Sequence, residues 1–231
     1  RLASYCREDV LNTEKIFLEQ RKQLKEQGLL QVQYTRCMIT PLLAEIGMTG
    51  MHLDSGRVHK THVRFVREHQ ELITELNKMT GGINMASSQQ VAKFLYEDLG
   101  FEELKDKRKT YIRGKASKTF PEGAPKTDED TLQQLKVKTK RQQKFIDLKS
   151  KESKLRKKIT GYTKRFVEAC DNNGCMIHGT INQSVTMTHR LSSSNPNQQN
   201  IDRTLKKLFN SRNEGWKIRS NDYRQLEYRV A

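Results

Sequence analysis

The chain has 231 residues and a formal net charge of +16, from 43 Lys and Arg against 27 Asp and Glu. Its length accommodates one large domain or two small ones, and apolar residues at helical spacing argue against wholesale disorder. No apolar run is long enough for a membrane span, and the N-terminal RLASYCRED lacks the apolar core of a secretory signal. The excess positive charge predicts a polyanionic partner.

The four cysteines are too few and too scattered for a disulfide framework, which favours a reduced, intracellular protein. Cys170, Cys175 and His178 could offer three zinc ligands, but their spacing matches no common zinc finger. Ordinary free thiols are the favoured interpretation.

The positive charge is concentrated in residues 101–165, which carry 21 basic and 9 acidic side chains and therefore 12 of the 16 excess charges. A basic run within this segment contains only one acid, Glu152, so pairing along the helix cannot neutralise it. Its cations are Lys149, Lys151, Lys154, Arg156, Lys157, Lys158, Lys164 and Arg165. A solvated helical face is the simplest explanation of the run. Contact with a phosphate backbone is favoured over it, and Lys154, Lys157 and Lys158 are the candidate residues.

The first hundred residues predict helices. A polar helix covers the N-terminal stretch, and Pro41 is expected to open a second one. A 3,4 spacing from Val58 to Leu76 predicts a helix with one apolar face, on whose edge two histidines lie. Gly81 and Gly82 end this helix, and Ser87 with Gln90 forms the capping box of the next.

Residues 101–127 contain Pro and Gly without an apolar period and predict a loop. From Thr127 to Phe166 the helical period continues, which predicts one long basic arm. Strand formers then dominate, at 176–187 and again at Trp216–Ile218. The predicted fold class is α+β and mostly α, with a helical body giving way to a sheet.

Two late segments carry the most information. THRLSSSNPNQQNI at 188–201 and NDYRQLEYRVA at 221–231 resemble the TGRLSSSNPNLQNIP and DYSQIELRVLA motifs of family A DNA polymerases, the bacterial DNA polymerase I group and its phage relatives. The segments at 39–54, 83–101 and 127–136 are more weakly similar to pieces of the family's thumb. The resemblance implies the tail of a 3′–5′ exonuclease domain at 1–27, a helical thumb with long antiparallel helices at 28–170, and the first strands of an antiparallel palm sheet at 171–231.

This resemblance implies a template-directed DNA polymerase that adds deoxynucleotides to a primer 3′ end. Nucleotidyl transfer uses two divalent ions that lie about 3.5–4 Å apart and are held by carboxylates. Asp222, expected at the end of a strand, matches the family's catalytic, metal-binding aspartate, and Mg²⁺ is the implied ion. Tyr223, Gln225 and Glu227 match nucleotide-binding positions, where Glu227 would exclude a 2′ hydroxyl, and Arg229 matches a DNA-binding position.

In the first motif, Arg190 matches the family's arginine in the minor groove at the primer terminus. Minor-groove acceptors are nearly the same for every base pair, so one arginine can test pairing geometry without reading sequence. The polar run that follows supplies short donors for phosphates and sugars. Its candidate DNA-binding residues are Ser192, Ser193, Ser194, Asn195, Asn197, Gln199 and Asn200.

Near the N-terminus, Tyr5 and Asp9 share one face of a helix. An exposed helix is the plain interpretation, but the position resembles the last motif of the family's proofreading exonuclease, in which the aspartate binds metal and the tyrosine orients water. The other exonuclease carboxylates are expected before Arg1.

The sequence also departs from the family pattern. His189, Gln198, Asp202, Arg224 and Tyr228 replace the usual residues, which suggests a divergent, phage-borne member. The sequence stops before the family's fingers helix and second metal-binding aspartate, and it lacks an initiator Met. We therefore expect a fragment that binds primer-template but does not extend it.

Two other classes of function stay open. A non-catalytic basic helical module that binds nucleic acid explains the charge but not the two ordered motifs. A single-subunit RNA polymerase or reverse transcriptase palm also carries an aspartate on a strand, but Glu227 and the RLSSSNP run argue against it. The expected partners are primer-template DNA, deoxynucleoside triphosphates and a processivity factor, with no membrane. The expected location is the cytoplasm, that of the host if the protein is phage-encoded.

Overall fold

A computed structural model describes residues 2–104, 111, 113, 114, 123 and 125–230. The chain divides into two compact units: residues 53–175, called the helical unit below, and residues 1–52 with 176–231, called the split unit. The helices are α1 Leu2–Glu26, α2 Leu30–Thr49, α3 Ser55–Thr80, α4 Ser88–Lys93, α5 Glu129–Gln134, α6 Lys140–Lys158, α7 Lys164–Asn172, α8 Arg203–Lys206 and α9 Leu226–Val230. The strands are β1 Met51–His52, β2 Met176–Ile177, β3 Thr180–Asn182 and β4 Ser192–Ser194.

The helical unit is organised around α3 and a long helix that packs beside it. This long helix runs from α6 through a π-helical turn at Ile159–Thr163 into α7. A second π-helical turn, Phe94–Asp98, continues α4. The buried core lies between these elements, and its apolar members are Leu76, Met85, Val91, Phe94, Leu95, Leu99, Phe101, Leu132, Leu135, Phe145, Ile146 and Leu148.

The predicted apolar face of α3 is confirmed, since Val58, Phe65 and Leu76 are buried. Asp54 caps the helix by accepting from the Arg57 amide at 2.9 Å. Gly81 ends the helix with a φ of 74°, a left-handed conformation that favours glycine. The sequence therefore located both the buried face and the end of α3.

The predicted single arm from Thr127 to Phe166 is wrong at one point, because the chain leaves the helix between α5 and α6. Leu135 has an extended ψ of 135°, and Thr139 starts α6 with a full capping box. Gln142 completes the box and also donates from its buried amide to the Leu99 carbonyl at 2.8 Å. This tertiary hydrogen bond favours a new helix start, which the apolar period does not reveal.

The capping box predicted at α4 is half formed. Ser87 accepts from the Gln90 amide, as expected for an N-cap. The Gln90 side chain accepts instead from the Asn84 amide at 2.7 Å. The loop before α4 folds back far enough to replace the expected reciprocal bond.

In the split unit, α2 begins at Leu30 and contains Pro41, so the prediction that Pro41 opens the second helix is wrong. Proline removes only one helical donor, and the helix continues on both sides of it. Antiparallel β1 and β2 pair Met51 with Ile177, and antiparallel β3 and β4 pair Ile181 with Ser193. The α2 helix lies against the β3 region, where Thr40 donates to Gln183 at 3.0 Å.

The predicted strands at 176–181 are confirmed, but residues 185–187 and 216–218 form no strand. Trp216 is 71% exposed. A strand needs a hydrogen-bonded neighbour, and the described residues offer none beside 216–218. The predicted fold class is confirmed: the chain is mostly helical with small antiparallel sheets.

The predicted loop at 101–127 lies largely outside the described residues. Within the described part of the chain, no helix combines the length and the apolar character needed to cross a membrane. The three predicted domain ranges, 1–27, 28–170 and 171–231, stay predictions.

Candidate nucleic-acid interface

The basic run on α6 divides into buried, paired and outward-facing cations. Lys149 is buried, and its ammonium donates to Glu152 at 2.7 Å and to the Met85 carbonyl at 3.0 Å. Arg156 contacts the other Glu152 oxygen at 3.3 Å, and His69 from α3 reaches the same oxygen at 3.3 Å. Glu152 therefore pairs with two members of the run, offsets one of their two charges and joins α3 to α6.

The Glu152 carboxylate stays charged despite its burial. Burial alone would raise its pKa, but the hydrogen bond from Lys149 and the charges of Lys149 and Arg156 outweigh that effect and lower the pKa. These groups thus form a charge cluster within the helical unit, in which Lys149 and Arg156 both pair with Glu152.

The three predicted DNA-binding lysines differ in what surrounds them. Lys154 lies 2.9 Å from Glu129 of α5, a partner that the one-acid count along the helix missed. The Lys158 ammonium lies 5.9 Å from the centre of the Phe65 ring. Lys157 is exposed, and no carboxylate among the described residues pairs with it.

The outer face of α6 carries three further lysines that were not among the predicted DNA-binding residues, although one of them, Lys151, belongs to the basic run. Lys140, Lys144 and Lys151, called the α6 basic row below, are spaced by four and seven residues and so share one face. All three are exposed, and none has a carboxylate partner among the described residues. The spacing was visible in the sequence, but only the packing shows that this face points away from the core.

The predicted polar loop in the split unit uses part of its side chains to hold its own shape. Ser193 is buried, donates to the Pro196 carbonyl and accepts from the Gln198 amide. Asn197 accepts from the amides of Gln199 and Asn200 at 3.2 Å each. These contacts favour a loop-shaping role for Ser193 and Asn197.

Other members of the loop are placed differently. Ser194 accepts from Asn182 at 3.1 Å across the β3–β4 pair. The Ser192 hydroxyl oxygen is buried without a hydrogen-bond partner in the described part of the chain. Asn195, Gln199 and Asn200 are exposed.

Arg190 is exposed at the edge of β4. Its carbonyl accepts from the Thr186 hydroxyl at 2.6 Å, and His189 before it has a left-handed φ of 57°. This turn at 186–190 sets the direction of the Arg190 backbone. The role of Arg190 in the minor groove stays a prediction.

Asp222 was expected at the end of a strand, and that expectation is wrong for the described chain. Residues 215–223 are irregular, and α9 follows from Leu226. Asp222, Tyr223, Gln225 and Arg229 are all exposed, and the Glu227 side chain lies outside the described structure. Asp222 has no hydrogen bond or ion pair with any described residue.

A metal centre is not assembled by the described residues. Among them, no three His, Cys, Asp or Glu side chains lie close enough to hold a metal ion. Asp222 alone does not fit a two-ion centre, because bridging two ions requires several carboxylates. Magnesium therefore stays an implication of the resemblance.

The predicted exonuclease pair lies on α1, which has no buried residue. Tyr5 and Asp9 are both exposed and separated by one helical turn. The Asp9 carbonyl accepts from the Thr13 hydroxyl at 2.7 Å. Their shared face is confirmed, while their role stays a prediction.

Comparison with known proteins gives similar results for sequence and for structure. The chain is 26% identical over 230 residues to the thermostable DNA polymerase I of Thermus filiformis, covering 96% of this chain and 26% of that protein. It is 31% identical over 153 residues to DNA polymerase I of Synechocystis, covering 64% of this chain and 14% of that protein. The chain thus spans about a quarter or less of the relatives' own length.

The fold resembles the POL domain of Pol1 from M. smegmatis, solved in complex with DNA primer-template and dNTP. The TM-score is 0.59 and the identity 22%, over 79% of this chain and 29% of that one. The sequence model described as DNA polymerase family A matches residues 56–231, well over half of the chain. The chain therefore belongs to DNA polymerase family A.

Proposed function

We propose that the chain comprises the thumb and the start of the palm of a template-directed DNA polymerase, and that its helical unit binds the primer-template duplex. The single observation that carries the proposal is the α6 basic row, whose three outward ammonium groups have no carboxylate partner in the described structure. Such groups bind phosphates without reading base sequence. Family membership supplies the duplex as the polyanion.

In this proposal Lys157 extends the phosphate-binding surface. Lys154 and Lys158 contribute less, because Lys154 is paired with Glu129 and the Lys158 ammonium lies over the Phe65 ring. Arg190, Asn195, Gln199 and Asn200 are the exposed candidates for contact near the primer terminus. Asp222 would bind Mg²⁺ only together with carboxylates that the described residues do not bring to it.

A binding measurement with two matched variants tests the proposal. One variant changes the α6 basic row to glutamine. The control changes Lys15, Lys22 and Lys25, three exposed lysines of α1, and so removes the same charge. With a labelled primer-template duplex, we expect the α6 variant to bind at least about tenfold more weakly and the α1 variant within about twofold of the parent. Equal losses would show that only net charge matters and would contradict the proposal.

Primer extension tests the catalytic part. We expect the 231-residue chain with Mg²⁺ and deoxynucleoside triphosphates to bind the duplex without lengthening the primer, because its described residues assemble no metal centre. Extension that is lost in Asp222→Ala and retained in Asp202→Ala would contradict this expectation.

A further inference from the structure

The loop that joins β3 to β4, residues 183–191, carries Arg190 near the start of β4. Inside this loop the Thr186 hydroxyl donates to the Arg190 carbonyl at 2.6 Å, and the His189 amide donates to the Thr186 carbonyl at 3.1 Å. These bonds shape a turn within the loop. They do not attach the loop to any other element of the split unit.

Gln183, the first residue of the loop, makes that attachment through its side chain and its backbone. Its side-chain nitrogen donates to the Arg36 carbonyl of α2 at 3.1 Å, and its side-chain oxygen accepts from the Thr40 hydroxyl at 3.0 Å. Its backbone carbonyl accepts from the Arg36 guanidinium. Because the Arg36 carbonyl can only accept, the amide has one orientation, in which both of its ends are bonded. Gln183 thus joins the loop to two successive turns of α2.

Apolar packing adds little to this attachment. Val185 and Met187, the apolar side chains of the loop, are 69% and 98% exposed. Gln183 borders two clefts of about 810 Å³ each, one next to Leu43 and the other next to Val32, so open space lies beside the anchor on either side. The loop is therefore held to α2 mainly by hydrogen bonds.

We propose that Gln183 is a positioning residue for primer-template binding: it anchors the 183–191 loop on α2 and so directs Arg190 toward the minor groove. The inference rests on the proposed function, in which Arg190 contacts the duplex near the primer terminus. Gln183 lies outside both sequence motifs, at 188–201 and 221–231, and outside the predicted DNA-binding residues. Its role is indicated only by its contacts with α2.

The anchor acts by limiting the motion of the loop before the duplex binds. A minor groove is about 6 Å wide, so an arginine enters it only if its backbone is held at the right place and angle. A loop that is free to move must be ordered at the moment of binding, and this cost weakens the complex. The two bonds of the Gln183 side chain remove part of that cost in advance. Gln183 itself contacts no DNA in this proposal and acts only through Arg190.

Two pairs of variants test the anchor with the labelled primer-template duplex. Gln183→Leu keeps the size of the side chain and removes both of its hydrogen bonds, and Gln31→Leu makes the same change at an exposed position of α2. Thr40→Val removes the donor hydroxyl at nearly constant volume, whereas Thr40→Ser keeps it. We expect Gln183→Leu to bind about tenfold and Thr40→Val about fivefold more weakly than the parent, with both controls within about twofold. Unchanged binding in Gln183→Leu and Thr40→Val would overturn the proposal.

A double-mutant cycle with Arg190→Ala separates a positioning role from a general loss of structure. We expect Arg190→Ala to weaken binding about tenfold, and Gln183→Leu to add no more than about twofold in that background, because the arginine that it positions is gone. If Gln183→Leu weakens binding by Arg190→Ala as much as it weakens binding by the parent, the proposal is wrong. It is also wrong if Arg190→Ala binds like the parent.

Hydrogen exchange without DNA reports on the anchor itself. The His189 amide should exchange at least about threefold faster in Gln183→Leu and Thr40→Val than in the parent, while the amides of α3 keep their rates. An unchanged rate at His189 would contradict the anchor. The proposed function is judged separately, by the loss of duplex binding when the α6 basic row is changed, and that result does not depend on Gln183.

Discussion

The helical unit and the segment 211–230 differ in whether their apolar side chains are buried in a core. In the helical unit, apolar faces of α3 and α6 meet in a buried core, and the buried Glu152 carboxylate pairs with Lys149 and Arg156. In segment 211–230, Trp216, Tyr223 and Tyr228 are exposed and the expected strand is absent. Helices form their hydrogen bonds between residues close in sequence, whereas a strand depends on neighbouring strands that are often distant in the chain.

The largest difference should appear on truncating aromatic side chains. Phe145 is fully buried, and its ring centre lies 5.0 Å from that of Phe94 in a tilted arrangement. Phe145→Ala should therefore lower the free energy of unfolding by about 3–5 kcal/mol. The matched change Trp216→Ala should stay within about 0.5 kcal/mol. Urea denaturation followed by circular dichroism measures both. Similar losses for the two variants would break the comparison.

The ion pair within the helical unit should give the next effect. Glu152→Ala leaves the Lys149 ammonium buried without its carboxylate and should cost about 3 kcal/mol in free energy of unfolding. Arg156 and His69 are partly exposed and can turn to water, which limits the loss. The double variant Lys149→Met/Glu152→Leu should recover most of the stability. A double variant no more stable than Glu152→Ala would contradict the explanation by an uncompensated buried charge.

The smallest effect concerns pH. Hydrogen bonds to the Ser55 carbonyl and to Asp171 raise the pKa of His59 above its ordinary 6.5. A raised folded-state pKa stabilises the fold fully below the unfolded pKa, and this stabilisation is lost as the pH rises through the folded value. The Tm of the parent should therefore exceed that of His59→Gln most clearly at acidic pH. A difference that grows toward alkaline pH would have the wrong sign.

The sequence predicted those features that depend on neighbouring residues. The buried face of α3, its stop at Gly81 and the strands near Met176 follow from period and turn chemistry, and all are present. The break before α6 was missed because the apolar period runs on past it, although Thr139 and Gln142 have the local spacing of a capping box. The hydrogen bond from Gln142 to Leu99, far away in the chain, leaves no trace in the sequence. Lys149 was counted with the phosphate-binding run for the same reason, since its burial against Met85 leaves no trace in local charge.

The site was predicted from motifs, which indicate the family of the chain but not which side chains bond within the protein. Family membership is established over 56–231. The structure gives Ser193 and Asn197 internal hydrogen bonds that a polar run in sequence does not reveal. The structure also shows that the α6 basic row is exposed, because the opposite face of α6 is buried. The roles of Asp222 and Arg190 stay predictions.

The salt dependence of primer-template binding tests the central claim most directly. If each ammonium of the α6 basic row neutralises one phosphate, changing all three to glutamine should reduce the slope of log K against log salt by roughly 2–3. The equally charged variant of Lys15, Lys22 and Lys25 should keep the parent's slope. An unchanged slope in the α6 variant, or an equal reduction in both variants, would contradict the assignment of this helix face to the DNA backbone.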